Sequence, residues 1–232
     1  MVIYPRFWLK HAHVRRALKG YPLYDVPHKK SEQKLSEGEA RENFDYFMCV
    51  RLERLAFFRN WLRTNFGVVA TLDGDGIRAV SRWVDDYGGG LIGDETYTMA
   101  IFADYQPRWE GVYAGYNVMI DIGIYIGEYL ISKRPRLYWD IYRGHVEEPA
   151  TFRSVGYMRP HLGGMPRGGA CDVLTSGYGT VAGSRELSVI GCGGPYLEQN
   201  VLIRVAKAQL YYSRLPDGDE PIIIGDSTNE PL

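Results

Sequence analysis

The chain has 232 residues, of which 45% are hydrophobic and 24% charged, and its formal net charge is −1. This length can bury a core without disulfides or metals, and the balanced charge gives no overall attraction to nucleic acid or to an anionic membrane. Three cysteines, Cys49, Cys171 and Cys192, show no C-x-x-C spacing, so we expect reduced thiols in a cytoplasmic protein, with no zinc site and no cofactor.

The first 34 residues form a basic and aromatic segment, referred to below as the arm. It holds eight basic and two acidic side chains, a net charge of +6, whereas residues 216–232 form an acidic tail with a net charge of −5. Pro5, Pro22 and Pro27 limit the arm to one short helix near residues 8–18. No secretory signal is expected, and no apolar run approaches the roughly 20 residues of a membrane span.

Two interpretations of the arm are open. Its aromatic side chains favour packing on the body or on a second subunit, and opposite charges favour contact between the arm and the tail. Interleaved basic and aromatic residues also occur in nucleic-acid-binding arms. We consider nucleic acid the weaker interpretation, because a phosphate-binding surface usually outweighs the charge of its own domain. The expected partner is therefore a protein, or a second copy of the chain, and neither nucleic acid nor a membrane.

A long helix is predicted directly after the arm. Ser36 and Glu39 have the spacing of a capping box, and Gly67 supplies a stop about 30 residues later. Apolar side chains recur between them at steps of three and four. At 1.5 Å per residue this helix measures about 45 Å and spans the domain.

The stretch LDGDGIRAVSRWVDDYGGG is similar to a calcium loop only at its start. Ile77 and Val84 occupy positions that need oxygen ligands, so no metal is implied. The same stretch predicts a helix capped by Asp75 and ended by the three glycines at 88–90.

A third predicted helix, from about Trp109 to Ser132, carries the apolar stretch YNVMIDIGIYIGEYLI at residues 116–131. Its polar side chains recur at steps of three or four and form one line, while its glycines leave room for a close neighbour on another face. Such a helix must be buried on most sides, which makes it the centre of the fold. The polar line consists of Asn117, Asp121, Tyr125, Glu128 and Ser132, and the glycines are Gly115, Gly123 and Gly127.

The polar line has two interpretations. In the first, it faces solvent or neutralises arginines of neighbouring segments, and this is favoured because structural ion pairs are commoner than sites. In the second, it lines a polar groove or acidic pocket in which the two carboxylates bind a cation or a basic partner. The candidate arginines are Arg134, Arg136 and Arg153, and the candidate binding residues are Asn117, Asp121, Tyr125 and Glu128.

Catalytic motifs are scarce in this sequence. There is no nucleophile elbow or dinucleotide fingerprint, and His11 and His13 have no neighbouring ligands that would complete a metal site. The one acid/base set that can be assembled consists of Asp121, Glu128, His145 and His161.

The second half of the chain alternates between strands and helices. Leu137, Trp139 and Ile141 alternate with polar residues and predict a strand, and a second strand is plausible at 152–158. A helix is expected near residues 172–184. Another is expected to begin at Pro195 with one apolar stripe, which consists of Val201, Val205, Ala208 and Tyr212.

Two of these motifs resemble uncharacterised bacterial domains of unknown function. Such domains carry an L-D helix start with a later Trp, and a D-x-G-x-x-x-G-E helix followed by a Trp-containing strand. The resemblance covers about residues 40–145 and implies an α+β bacterial protein without known enzymatic activity, in a group with some suspected immunity-type members. The matching residues are Leu72, Asp73, Trp83, Asp121, Gly123, Gly127, Glu128 and Trp139.

These patterns together predict a helix-rich α+β single domain, with a central buried helix at about 109–132 and a small sheet. We expect the arm at 1–34, one globular domain at 35–215 and the acidic tail at 216–232. The favoured function is a non-enzymatic protein-binding module. The alternative is a small-molecule-binding or hydrolytic enzyme with a polar pocket around Asp121 and Glu128.

Overall fold

The helices and the sheet of this protein are seen in a computed structural model that describes residues 5–31, 34–93, 98–143, 158–166, 170–190, 200–214 and 230–232. Within these residues there are seven α-helices and one antiparallel pair of strands, which confirms the helix-rich α+β class. The helices are α1 (Pro5–Ala17), α2 (Glu37–Phe66), α3 (Gly74–Tyr87), α4 (Met99–Asp104), α5 (Gly115–Lys133), α6 (Val173–Ile190) and α7 (Val201–Arg214). The strands are β1 (Tyr138–Ile141) and β2 (Pro160–Gly163).

Helix α5 lies at the centre of the fold, as predicted. Nearly all of its side chains are buried, and it packs against α2, α6 and α7. It begins at Gly115, later than the predicted Trp109, because Asn117 Nδ2 donates hydrogen bonds to the carbonyls of Trp109 and Ala114 and folds that segment back over the helix start. Among the helices that the structure describes, none is long and apolar enough to cross a membrane.

Helix α2 has the ends that its sequence predicts. The Ser36 side chain accepts from the Glu39 backbone and the Glu39 side chain accepts from the Ser36 backbone, so both halves of the capping box are formed. Gly67 ends the helix in the left-handed conformation, with φ of 67°, which glycine adopts without steric cost. The 30-residue length is also as expected.

Helix α3 begins two residues before the predicted position. Its N-cap is Asp73, whose carboxylate accepts from the Gly76 backbone at 2.9 Å, while Asp75 is exposed and pairs with Arg78. Thr71 fixes this choice, because its hydroxyl donates to Asp73 at 2.7 Å. The predicted cap at Asp75 is therefore wrong by two residues.

The small sheet follows α5. In β1 Trp139 and Ile141 are buried, as their alternation predicts, and Trp139 is paired with Leu162 of β2. The strand expected at 152–158 lies outside the described residues apart from Met158, which is in a turn.

The last two helices match the predictions in part. Helix α6 covers the predicted helix at 172–184 and continues to Ile190, whereas the expected start of α7 at Pro195 lies outside the described residues. The predicted apolar stripe of α7 is wrong, because all four of its residues are only half-buried. The face of α7 that packs on the core lies about one residue further along the helix. The side chains that enter the core are Leu202, Ala206 and Leu210.

The arm packs on the body, and part of it belongs to the core. Its buried apolar side chains are joined to the main cluster. Lys10 pairs with Asp86 of α3, and Lys30 pairs with Glu39 of α2 at 2.6 Å. The buried side chains are Val14, Leu18, Tyr21, Tyr24 and Val26.

The expected contact between arm and tail is not seen in the part of the tail that the structure describes. Buried Glu230 pairs with Arg134 at 3.2 Å and with Arg214 at 3.1 Å, and both arginines belong to the body. The other acidic residues of the tail lie outside the described residues.

Glycines allow α5 and α6 to approach closely. A Cβ on Gly123 would lie 2.7 Å from Leu174 Cα and 2.8 Å from the Val173 carbonyl oxygen, and a Cβ on Gly177 of α6 would collide with the Met119 carbonyl. Gly127 instead leaves space for the Trp139 ring, with which a Cβ at this position would collide. Helix α5 is thus locked between backbone on one side and an indole on another.

Gly123→Leu tests this close approach. We expect the free energy of unfolding to fall by about 1–3 kcal/mol or more, because the new side chain forces α5 and α6 apart. Urea unfolding followed by circular dichroism measures the loss. Gly179→Leu is the matched control, since a Cβ there meets nothing within 4 Å. Equal stability of the two variants would contradict the packing argument.

Candidate functional site

The polar line of α5 meets α2 and the arm at a buried carboxylate. Asp121 is fully buried. Its Oδ1 accepts from Arg54 Nε at 2.7 Å, and its Oδ2 accepts from Arg54 Nη2 at 3.0 Å and from the Tyr21 hydroxyl at 2.6 Å. One carboxylate therefore joins α5, α2 and the arm.

The charges at this junction are balanced locally. Burial raises the pKa of Asp121, and the Arg54 charge and the hydrogen bond from Tyr21 oppose that rise. Burial also opposes the charge on Arg54, but Asp121 and Tyr21 raise the pKa of that guanidinium. Burial and the neighbouring carboxylate raise the pKa of Tyr21 well above its usual value, so Tyr21 donates as a neutral phenol. The arrangement is an ion pair with a two-pronged guanidinium, which is the strong geometry for such a contact.

Asn117 ties two loops to the start of α5. Its Oδ1 accepts from the Tyr24 backbone at 2.7 Å, and its Nδ2 donates to the Trp109 carbonyl at 2.7 Å and to the Ala114 carbonyl at 2.9 Å. Both N–H groups of the amide are in use, and Asn117 is 1% exposed, so a ligand could reach the remaining lone pair of Oδ1 only if the start of α5 opened.

Tyr125 and Glu128, which follow Asp121 on the polar line, also form hydrogen bonds within the fold. Glu128 Oε1 accepts from Arg51 Nε at 3.2 Å and from the Trp139 indole at 2.8 Å. The Tyr125 hydroxyl donates to the Thr71 carbonyl at 2.7 Å, and burial raises its pKa.

The arginines that pair with α5 are not the ones suggested by sequence proximity. Arg51 and Arg54 come from α2, whereas Arg134 pairs with Glu230 and Arg136 donates to the Gly164 carbonyl. Arg153 lies outside the described residues. The line thus neutralises arginines from a distant segment of the chain.

The acid/base set is not assembled in the part of the chain that the structure describes. His145 lies outside it, and His161 is buried in β2 with Nδ1 3.0 Å from the Arg159 carbonyl and Nε2 3.8 Å from the Asp172 carboxylate. Burial lowers the pKa of His161, which favours a neutral ring. Burial raises the pKa of the Cys171 thiol, so it is a poor nucleophile.

Metal ligands do not converge within the described ranges. No group of three or more His, Cys, Asp or Glu side chains there could hold an ion. His13 stacks on Phe66 with ring centroids 4.8 Å apart, and burial lowers the pKa of His11 to about 4. His11 and His13 therefore act as packing residues.

A surface cavity that the sequence does not predict lies between the end of α2 and the outer side of α3. This α2–α3 groove has a volume of about 540 Å³. The rings of Phe66, Trp83 and Tyr87 are packed together beneath it, with Phe66 5.4 Å from Trp83 and 5.0 Å from Tyr87. Its walls include Val69, which is 61% exposed, and the side chains of Ala79 and Arg82.

Three charged residues line the α2–α3 groove, and two of them are paired. Asp75 accepts from Arg78 at 2.7 Å, and Asp86 is paired with Lys10. Arg82 is exposed and makes no ion pair or hydrogen bond within the described residues. Its guanidinium is therefore the one unmatched charge that the described lining contributes.

Comparison with known proteins gives no relative. No protein-family model matches the chain, and no curated protein or solved structure is significantly similar to it. The resemblance to bacterial domains of unknown function thus stays a prediction.

Removing one member of the buried pair should destabilise the fold strongly. Arg54→Met should lower the free energy of unfolding by about 3–5 kcal/mol, because Asp121 is left buried without its counterion. The double variant with Asp121→Asn should be more stable than Arg54→Met alone. Urea unfolding of the single and double variants measures the coupling between the two side chains.

Arg51→Met is the matched control for that experiment. Its pair with Glu128 is partly open to solvent, with the two side chains 20% and 14% exposed, so we expect a cost of about 1 kcal/mol. Losses of the same size at Arg51 and Arg54 would show that burial of the Asp121 pair is not what matters.

Proposed function

We propose that this protein is a non-enzymatic protein-binding module of the bacterial cytoplasm. The observation that carries the proposal is that the polar groups which could have formed a catalytic pocket are used inside the fold. Asp121 is sealed by Arg54 and Tyr21, and Glu128 is held by Arg51 and Trp139. The binding-competent features lie on the surface instead.

The partner-facing surface is formed by α1 and the adjoining α2–α3 groove. Helix α1 exposes Trp8 by 63% and Leu9 by 73%. Leu9 lies one turn before His13 on the same line of the helix, and His13 stacks on Phe66 of the groove. Large exposed apolar side chains next to a groove are typical of a protein interface. This supports a partner that docks through the arm.

A nucleic-acid partner is the weaker proposal. Lys10, Lys29 and Lys30 are each paired with an acidic side chain of the same chain, so fewer cations are left for phosphates. Free thiols at Cys49 and Cys171 agree with a reducing compartment.

The enzyme alternative needs carboxylates that a substrate can reach. Opening Asp121 to a substrate would break three hydrogen bonds and leave a buried guanidinium without its partner. An immunity-type role needs none of this, because a partner is neutralised by binding alone.

The proposal is tested by capturing proteins from the extract of the native host and titrating the identified partner by calorimetry. We expect saturable binding, weakened at least tenfold by Trp8→Ala with Leu9→Ala, because these side chains lose buried apolar area. Val112→Ala is the control, since Val112 is also apolar and 54% exposed but lies in the turn before α5, outside α1 and outside the lining of the α2–α3 groove. Absence of a protein partner, together with a small-molecule turnover that Glu128→Gln abolishes in a folded protein, would establish the enzyme alternative.

A further inference from the structure

We infer that the α2–α3 groove binds an extended peptide segment of the partner protein that presents an apolar side chain next to an aspartate or glutamate. This inference rests on the proposed protein-binding function and specifies the chemistry of the partner.

The shape and lining of the groove fit one large apolar side chain. Its volume of about 540 Å³ lies within the range of roughly 300–1,000 Å³ that is usual for binding sites. The packed rings of Phe66, Trp83 and Tyr87 support it, and half-exposed or exposed aliphatic groups form its rim. Burial of a Leu or Phe side chain here would remove its apolar surface from water, which favours binding.

The wall of the groove also offers backbone groups to a peptide. Residues 67–71 connect α2 to α3 without regular structure, and their ends are held because Val68 N donates to the Leu62 carbonyl and Arg59 donates to the Ala70 carbonyl. Between these two anchors Val69 makes no hydrogen bond within the described part of the chain, and it is exposed. An extended peptide can pair its own N–H and C=O groups with those of Val69.

The charge of Arg82 favours a peptide with an acidic residue next to its apolar side chain. Arg82 lines the groove without a counterion among the described residues, whereas Asp75 and Asp86 are paired with Arg78 and Lys10. A guanidinium accepts a carboxylate in two-pronged geometry, so one acidic side chain fits beside Arg82. A polyanion such as nucleic acid is disfavoured, because further phosphates would approach Asp75 and Asp86.

The test is a selection of displayed random peptides on the folded full-length protein, followed by affinity measurement with the synthesised peptides. We expect selected sequences to share an acidic residue within two positions of an aromatic or large aliphatic one. Val69→Lys should weaken their binding at least tenfold, and Val112→Lys should not. Arg82→Glu should reverse the charge preference of a second selection from acidic to basic, while Arg41→Glu, at an exposed arginine on the first turns of α2, should leave it unchanged.

The outcomes separate this inference from the function on which it rests. The groove assignment is overturned if the selected peptides bind Val69→Lys and Arg82→Glu with unchanged affinity, or if they lack an acidic residue. A native partner whose affinity is unchanged by those two variants overturns it as well, but leaves the protein-binding function standing. If neither a binding peptide nor a native partner is obtained, the groove assignment and the protein-binding function are both overturned.

Discussion

The fold depends on one buried carboxylate. Asp121 lies in the middle of α5 with no exposed surface, and an unpaired charge there would cost several kcal/mol. Its two oxygens are satisfied only when Arg54 of α2 and Tyr21 of the arm are both in place. The carboxylate therefore fixes the register of α2 on α5 and brings the arm into the core, which apolar packing alone would specify less sharply.

Much of the fold could be predicted because its signals are local. The capping box at Ser36, the stop at Gly67 and the alternation of β1 each act within a few residues. The polar line of α5 was also readable, since helical spacing aligns its members. The start of α5 was not, because Asn117 bonds to the carbonyls of Trp109 and Ala114 and replaces the expected first turns.

The partners of the polar line were missed because spacing identifies a face and does not identify the element that covers it. The sequence of α2 does contain a feature that points to this partner. Arg54 lies on the helix face that also carries Phe47, Phe58 and Trp61, so it is a cation within a buried apolar stripe. Such a residue needs a buried anion, and Asp121 is the fully buried carboxylate that provides it. The α2–α3 groove gave no comparable signal, because its wall at 67–71 has no periodicity.

The buried polar line also positions the surface that we assign to binding. Tyr125 donates from α5 to the Thr71 carbonyl, at the end of the groove wall, and Arg59 of α2 holds the neighbouring Ala70 carbonyl. The wall is thus fixed at one end by the central helix and at the other by the cap of α2, while Val69 between them stays exposed. Hydrogen bonds from buried polar groups therefore hold an exposed backbone segment in place. Because this segment is already ordered, less conformational entropy is lost when a partner binds to it.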